Sequence, residues 1–247
     1  MSTEQLQFFA ENGYVIVPGA LTAAEVHTIN DVIDHDLKAR PTLWRGDPNA
    51  KYQARNILLA NSELDFTMRP PSLLSLMEAI MGPDICADEH TIMIRAANPD
   101  GPTECDWHRD SCGGEPHPPY YARYLSIVFY LTDVDNSTHT FSILPGSAQM
   151  ADPLPKEECD MSTALHLTGT AGTAILFNAY SVHAGNVRIT DFERRTIHLY
   201  CGRTTDQHIS DYTIFPPRLW EGKDEATRKF YSRRNEISRV LATHFTS

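Results

Sequence analysis

The chain has 247 residues, 41% of them hydrophobic, and carries a formal net charge of −11. This length and apolar content suffice for one well-filled core, so we expect a single domain over residues 1–247. The acidic balance excludes an electrostatic footprint for nucleic acid or for an anionic membrane surface.

Cysteine usage and the first residues indicate the compartment. The five cysteines are scattered and form no CxxC pair, which is untypical of a disulfide framework or a structural zinc site and suits a reducing cytosol. The first residues lack the basic and apolar segments of a signal peptide. No apolar run approaches the roughly 18 residues that span a bilayer. We therefore expect a cytoplasmic protein without a membrane or nucleic-acid partner; the sequence does not indicate its oligomeric state.

Helical patterns dominate the first third of the chain. Apolar residues at helical spacing predict helices over residues 3–11, 22–40 and 72–81, with a short strand over 14–17. Thr22 followed by Glu25 is a capping box, which marks the start of the second helix. Residues 41–71 have no clear period apart from a predicted strand over 55–59. An irregular segment of this kind can wall a binding site.

Short apolar segments separated by Gly, Pro, Asn and Asp turns follow. They predict strands over residues 91–95, 107–111, 124–131, 141–144, 173–177 and 194–201. Such a series is typical of a sandwich or a jelly-roll barrel. A last apolar stripe predicts a helix over residues 224–245. The expected fold class is α+β with a mainly β core, in which N-terminal and C-terminal helices brace the barrel.

His108 and Asp110 are the starting point for a functional site. Residues two apart in a strand share one face, so both side chains could project into one cavity. A second histidine from a distant strand would complete a 2-His-1-carboxylate triad, which holds Fe(II) and leaves positions open for O2 and substrate. His183 is the candidate, because it follows a predicted strand and precedes a Gly-Asn turn. The other histidines are more simply explained as ordinary polar or packed residues.

The predicted strand over residues 194–201 places every second residue on one face, namely Arg194, Thr196, His198 and Tyr200. An arginine inside a barrel needs an anionic partner, because an unpaired buried charge is very costly. A dicarboxylate co-substrate would meet that need, since arginine binds a carboxylate through two parallel hydrogen bonds and the Thr196 hydroxyl could add another. A surface arginine pair on an edge strand is the alternative that this segment alone leaves open.

These residues lie within a longer series of motifs that runs from residue 4 to about residue 205. Its segments are residues 8–19, 107–111, 131–134, 143–147 and 171–177, followed by His183, Asn186 and the pair Arg194 and Arg195. With this order of motifs, the chain resembles the phytanoyl-CoA dioxygenase family of Fe(II)/2-oxoglutarate-dependent oxygenases.

The resemblance implies a fold and a reaction. The fold is a double-stranded β-helix, a cupin-like relative of the jelly roll, with helices on one side. The implied Fe(II) ligands and catalytic residues are His108, Asp110 and His183. With 2-oxoglutarate and O2 as co-substrates, the enzyme would oxidise a C–H bond of a small or medium-sized molecule, such as a natural-product intermediate. Hydroxylation is the simplest outcome, and desaturation, epoxidation and ring formation are the alternatives.

The resemblance also implies a binding site for 2-oxoglutarate. Arg194 would hold the distal carboxylate, with Thr196 beside it. Arg194 is preferred to Arg195 because only Arg194 has a hydroxyl residue two positions later. The family can place a lysine on the strand before the metal motif, where this chain has Arg95, so a role for Arg95 stays open.

The expected substrate contacts lie around the metal motif and in the loop that follows it. They are Trp107, Arg109, His117 and Tyr120. Arg109 stands where the family often has glutamine, which would make the surroundings of the metal more cationic. Two alternatives from other classes remain: a non-catalytic double-stranded β-helix that binds a small acid or a metal, and a two-histidine metal protein.

Overall fold

The structure, a computed structural model, describes residues 3–110, 121–148, 156–206, 208, 210, 212–232 and 235–245. The helices within these ranges are α1 (Thr3–Asn12), α2 (Ala23–Ala39), α3 (Asp65–Met68), α4 (Leu74–Met81), α5 (Glu225–Phe230) and α6 (Glu236–Phe245). The strands are β1 (Tyr14–Val17), β2 (Trp44–Gly46), β3 (Lys51–Ala54), β4 (Ile85–Arg95), β5 (Glu104–Cys105), β6 (Leu125–Tyr130), β7 (Thr140–Ile143), β8 (Leu165–Leu167), β9 (Ala174–Asn178), β10 (His183–Val187) and β11 (Arg194–Arg203).

The N-terminal helices form as their sequence patterns predict. At the start of α2 the Thr22 hydroxyl accepts a hydrogen bond from the Glu25 amide, while the Glu25 carboxylate accepts one from the Thr22 amide. This reciprocal pair satisfies amides that the first helical turn leaves unbonded. The buried face of α2, with Ile29 and Ile33 fully covered, packs on the β core. Among the described helices, none has both the length and the apolar character required to cross a lipid bilayer.

Two antiparallel sheets form the core. The larger sheet has the strand order β1-β9-β6-β11-β4-β3-β2, and the smaller sheet has the order β5-β10-β7-β8. Neighbouring strands in space are mostly distant in sequence, as in a jelly roll. The structure therefore confirms the predicted fold class, a mainly β double-stranded β-helix with helices packed against the larger sheet.

Alternation along β11 assigns one face to the helices and the other to the interior of the barrel. Ile197, Leu199 and Cys201 are fully buried in the apolar cluster that includes α2 and α4. His198 and Tyr200 point the opposite way and line a cavity of about 580 Å³ between the sheets. The period of two in a strand thus separates residues that hold the helices from residues that can contact a ligand.

Three predicted elements differ from the structure. Residues 107–111 were expected to form a strand, but the strand here is β5, and His108 makes only an isolated bridge with His183. The expected strand over 55–59 is wrong: β3 ends at Ala54, and Ile57–Leu59 is a 3-10 turn. The predicted helix over 224–245 is two helices, because the Asn235 side chain accepts from the Ser238 amide and caps a new helix.

Strand β4 begins at Ile85, six residues before the predicted start at residue 91. Most of its residues are buried, on both faces of the sheet. A strand covered on both sides loses the alternation of polar and apolar residues that identifies strands in a sequence. Its first part was therefore missed.

Candidate active site

Three potential metal ligands converge at one end of the cavity. His108, Asp110 and His183 each offer one ligand atom, and these atoms lie within 4.8 Å of one another. The backbone holds them there: the amide of each histidine donates to the carbonyl of the other at 2.9 Å. The Asp110 amide donates to the Ala179 carbonyl at 3.3 Å. The two imidazoles therefore meet through backbone pairing, although His108 lies outside a regular strand.

Backbone carbonyls fix the tautomers of both histidines. The Nδ1 atom of His108 lies 2.8 Å from the Asp106 carbonyl oxygen, and that of His183 lies 2.9 Å from the Ser181 carbonyl oxygen. A carbonyl only accepts hydrogen bonds, so each Nδ1 carries the proton and each Nε2 keeps its lone pair. Burial lowers the pKa of His183, which favours the neutral imidazole that metal binding requires.

A tyrosine orients the carboxylate between the two histidines. The Tyr200 hydroxyl donates to Oδ2 of Asp110 at 2.8 Å. The same carboxylate has Oδ2 at 3.7 Å from Nε2 of His183 and Oδ1 at 4.0 Å from Nε2 of His108. The sequence predicts that Tyr200 lies on the same face of its strand as Arg194, but no pattern in the sequence indicates its contact with Asp110.

Apolar side chains cover the buried side of this cluster. The rings of Phe141 and Phe177 lie 5.6 and 4.8 Å from the imidazole of His183, measured between centroids. Val128 lines the same part of the cavity. His108 is more open, with 48% of its side chain exposed. The cluster therefore has a dry side within the barrel and an accessible side.

Arg194 is a buried cation that forms no ion pair with any described residue. It is 5% exposed, and its Nε and Nη1 atoms have no hydrogen-bond partner among the described residues. Burial, with a further contribution from nearby Arg95, lowers the pKa of Arg194 to about 10. An arginine left in this state is costly unless an anion binds it. The position therefore fits a carboxylate ligand.

Two further cations extend this row across the sheet. Arg95 is paired in register with both Arg194 and Lys51, and all three side chains line the cavity. Burial and the positive charges of Arg95 and Arg194 lower the pKa of Lys51. This end of the cavity is therefore strongly cationic. The sequence left the role of Arg95 open and did not indicate Lys51, which comes from the irregular 41–71 segment.

Thr196 lies beneath the cavity surface, and His198 lies at it. The Thr196 hydroxyl is 3.3 Å from the Met93 carbonyl oxygen and 3.0 Å from Nε2 of His198. Burial, followed by the charge of Arg194, lowers the pKa of His198 to about 3, so its imidazole is neutral. Thr196 itself is not among the residues that line the cavity. On this face of β11, the neutral His198 rather than Thr196 therefore reaches the cavity.

Two of the four expected substrate contacts, Arg109 and Trp107, are not among the residues that line the cavity. The Arg109 guanidinium donates to the carbonyls of Ser147 and Tyr180 at 2.7 and 2.8 Å, outside the cavity lining. The Arg109 side chain therefore points away from its neighbours His108 and Asp110. Its two hydrogen bonds hold the loop that carries these residues. Trp107 is partly buried and does not line the cavity either. The remaining two candidates, His117 and Tyr120, lie outside the described residues.

Two imidazole nitrogens and one carboxylate form a donor set that suits Fe(II) and leaves coordination positions for other ligands. The row of cations lines the same cavity from the larger sheet, whereas His183 belongs to the smaller sheet. A dicarboxylic acid could therefore reach both the metal and Arg194. The residues present thus fit a site for iron together with an anionic co-substrate.

Solved structures with the same fold bind or depend on 2-oxoglutarate, although their sequences differ greatly from that of this chain. HygX from Streptomyces hygroscopicus, solved with nickel and 2-oxoglutarate, has a TM-score of 0.70 and 17% identity, over 84% of this chain and 89% of its own. The α-ketoglutarate-dependent carbocyclase SnoK of nogalamycin biosynthesis has a TM-score of 0.63 and 18% identity, over 81% and 83%. The epimerase SnoN has 0.65 and 19%, over 82% of both chains. At such identities the likeness shows the fold.

Sequence comparison identifies the family. No curated protein matches the chain. The family model described as phytanoyl-CoA dioxygenase matches residues 9–196, well over half of the chain, including all three clustered ligands and Arg194. The chain therefore belongs to the phytanoyl-CoA dioxygenase family, a family of 2-oxoglutarate-dependent non-haem iron enzymes.

Proposed function

We propose that the chain, acting as one catalytic domain over residues 1–247, binds Fe(II) and 2-oxoglutarate and hydroxylates a C–H bond of a small or medium-sized molecule. One observation carries the proposal. Three potential ligand atoms lie within 4.8 Å of one another on a cavity that also contains a buried arginine, two of whose nitrogens bond to no described residue. A cluster of three metal ligands alone is compatible with many kinds of metal protein. The buried arginine in the same cavity additionally requires an anionic ligand.

Each residue has a defined part in this proposal. His108, Asp110 and His183 hold the metal, and Tyr200 keeps the Asp110 carboxylate in place. Arg194 binds the distal carboxylate of 2-oxoglutarate. When bound, Fe(II) supplies the redox chemistry that couples conversion of 2-oxoglutarate and O2 into succinate and CO2 to oxidation of the substrate.

The surrounding side chains control the water and the charge near the metal ligands and Arg194. Phe141 and Phe177 exclude water from the buried side of the metal ligands. His198, which stays neutral, adds no further positive charge beside Arg194 and presents a polar group to the co-substrate. This environment strengthens the ion pair between Arg194 and a carboxylate, since charges attract more strongly away from water.

The class of substrate is supported by the nature of the cavity and of the structural relatives. HygX has been solved with hygromycin B, and SnoN with nogalamycin RO, so enzymes of this fold accept natural products. The cavity of about 580 Å³ has room for 2-oxoglutarate and a further small molecule. Mass spectrometry separates two groups of outcomes, because hydroxylation and epoxidation add one oxygen whereas desaturation and ring formation remove two hydrogens.

Anaerobic addition of Fe(II) and 2-oxoglutarate tests the proposal directly. The wild-type protein should develop a weak visible charge-transfer band, and admission of O2 should yield succinate. Asp110→Ala should lose the band, because one metal ligand is missing. A protein that develops no band and releases no succinate would contradict the proposal. A band without succinate would instead favour a non-catalytic protein that binds metal and acid.

A further inference from the structure

Two oppositely charged residues that line the cavity, Arg55 and Glu89, have no role in the site described above. Arg55 follows β3, and Glu89 lies on β4 with its side chain directed into the barrel. Glu89 is paired in register with Tyr200, which holds the metal-binding carboxylate. The pair therefore lies near the metal ligands, and Glu89 precedes Arg95 by six residues in β4. Neither residue has a part in holding Fe(II) or 2-oxoglutarate.

Arg55 and Glu89 lie at ion-pair distance but form no hydrogen bond with each other. The Nε atom of Arg55 lies 3.9 Å from Oε1 of Glu89, which is too far for a hydrogen bond. That Nε atom is buried and has no hydrogen-bond partner among the described residues. The guanidinium carbon lies 3.9 Å from the centroid of the Tyr212 ring, which fixes the plane of the group. Arg55 thus presents an oriented cation whose Nε donor has no partner among the described residues.

Glu89 is similarly held in place and similarly incomplete. Its Oε1 atom accepts a hydrogen bond from the Thr91 hydroxyl at 2.6 Å, and its side chain is 14% exposed. One neutral donor leaves most of the accepting capacity of a carboxylate unused. Two fixed and opposite charges, side by side but not hydrogen-bonded, can each bind a complementary group of one ligand.

The charges of the whole cavity restrict what that ligand can be. Four cationic and four anionic side chains line the described part of the cavity. Fe(II) and the 2-oxoglutarate dianion would add two opposite double charges, so the loaded site stays balanced. A substrate with a net charge would disturb this balance in a partly buried site. The charge count therefore favours a ligand without net charge.

We propose that the primary substrate is an amino-acid-type zwitterion, whose carboxylate binds Arg55 and whose ammonium group binds Glu89. The inference rests on the function proposed above. The planar guanidinium matches a carboxylate in shape, and each of the two contacts would join two oppositely charged groups. An uncharged polyol would bring no charge to either contact. Because Glu89 adjoins Tyr200 in register, the oxidised carbon should lie within a few bonds of the charged head of the substrate.

Derivatives that remove one charge at a time test this assignment. The probes are the 20 proteinogenic amino acids and, for each, its N-acetyl derivative and its methyl ester. Binding to wild-type protein, loaded anaerobically with Fe(II) and 2-oxoglutarate, is measured by equilibrium dialysis and mass spectrometry. At least one free amino acid should bind roughly 10- to 100-fold more tightly than both of its derivatives. The proposal is overturned if no free amino acid binds or if the derivatives bind equally well.

Two neutral variants assign the two groups. Arg55→Gln should abolish discrimination against the methyl ester and keep discrimination against the N-acetyl form, whereas Glu89→Gln should do the reverse. Arg45→Gln and Glu78→Gln, the same changes at exposed positions, should discriminate like the wild type. Wild-type discrimination that persists in both cavity variants would also overturn the proposal.

A 2-oxoglutarate titration in the same samples separates the two levels of inference. Wild-type protein that does not bind 2-oxoglutarate contradicts the proposed function. Protein that binds 2-oxoglutarate but does not distinguish the derivatives contradicts only the substrate assignment. In the variants, 2-oxoglutarate binding also reports that the cavity is folded, because Arg194 lies on the same sheet.

Discussion

Arg194 and Arg195 are neighbours in β11 and lie on opposite faces of the larger sheet, in very different surroundings. Arg195 donates to Asp34 at 2.8 Å and to Glu193 at 2.7 Å, so its charge is compensated at the edge of α2. Arg194 is turned into the cavity, and two of its guanidinium nitrogens have no partner in the part of the chain that the structure describes. One arginine therefore completes its own contacts, and the other requires a ligand to complete them.

Two histidines repeat this contrast one step further along the sheet. Burial lowers the pKa of both His90 and His198 to about 3. His90 is 0% exposed, and its Nε2 atom meets the Thr67 hydroxyl at 2.9 Å on the helix side. His198 lines the cavity. The side of the sheet, rather than the residue type or its ionisation, thus separates residues that stabilise the fold from residues that can contact a ligand.

The largest effect is expected on the helix-facing side. Leu199→Ala removes a fully buried side chain from the apolar core and should lower the free energy of unfolding by about 2–5 kcal/mol. Chemical denaturation measures this loss. Affinity for 2-oxoglutarate in the folded variant should stay within about two-fold of the wild type, because the side chain does not reach the cavity. A folded variant that no longer binds 2-oxoglutarate would contradict the separation of the two faces.

Arg194→Met should have the converse effect. The affinity for 2-oxoglutarate should fall about 100-fold, since a buried charge-assisted contact is lost. The unloaded protein should be at least as stable as the wild type, because an unpaired buried cation has been replaced by an apolar side chain. Anaerobic titration and denaturation measure the two quantities. Unchanged 2-oxoglutarate affinity would show that the anion binds elsewhere.

His90 should make the fold sensitive to acid. Its folded pKa lies below the ordinary value of 6.5, so between pH 6.5 and about 3 the unfolded chain binds a proton that the folded chain does not. The free energy of unfolding therefore has its full value above pH 6.5. It decreases as the pH falls, by at most about 1.4 kcal/mol per pH unit for this group. His90→Gln should make the decrease between pH 7 and pH 5 smaller in urea denaturation. An equal decrease in both proteins would rule out this contribution.

Tyr200→Phe should weaken the metal site without a comparable loss of stability. The hydroxyl that orients Asp110 disappears while the ring remains, and metal affinity should fall about 10-fold, as is usual for partners of metal ligands. Tyr52→Phe, a matched change on the helix-facing side of β3, should leave metal affinity unchanged. Competition with a coloured chelator measures both. Equal affinities of Tyr200→Phe and the wild type would mean that Asp110 needs no such support.

The sequence predicts the fold and the central ligands for physical reasons that also explain its failures. Alternation along residues 194–201 and the turn residues between strands are local properties, so they can be recognised without a structure. Tyr200 and His198 were placed on the correct face, but their contacts depend on how distant strands are brought together. The sequence indicates that the 41–71 segment can wall a binding site, but it does not single out Lys51 or Arg55, because the segment has no clear period. Arg109, between two ligands in sequence, points the other way.

The smallest effect is expected for Arg195→Met, and it completes the comparison between the two arginines. The variant loses ion pairs with Asp34 and Glu193, whose side chains are 51% and 41% exposed. Exposed pairs of this kind contribute about 1 kcal/mol or less, and salt screens them. Denaturation should show a small destabilisation that shrinks at about 1 M salt, where the Debye length is short. Affinity for 2-oxoglutarate should match that of the wild type. A loss of affinity as large as that of Arg194→Met would mean that position along the strand, and not the face, decides which arginine binds the anion.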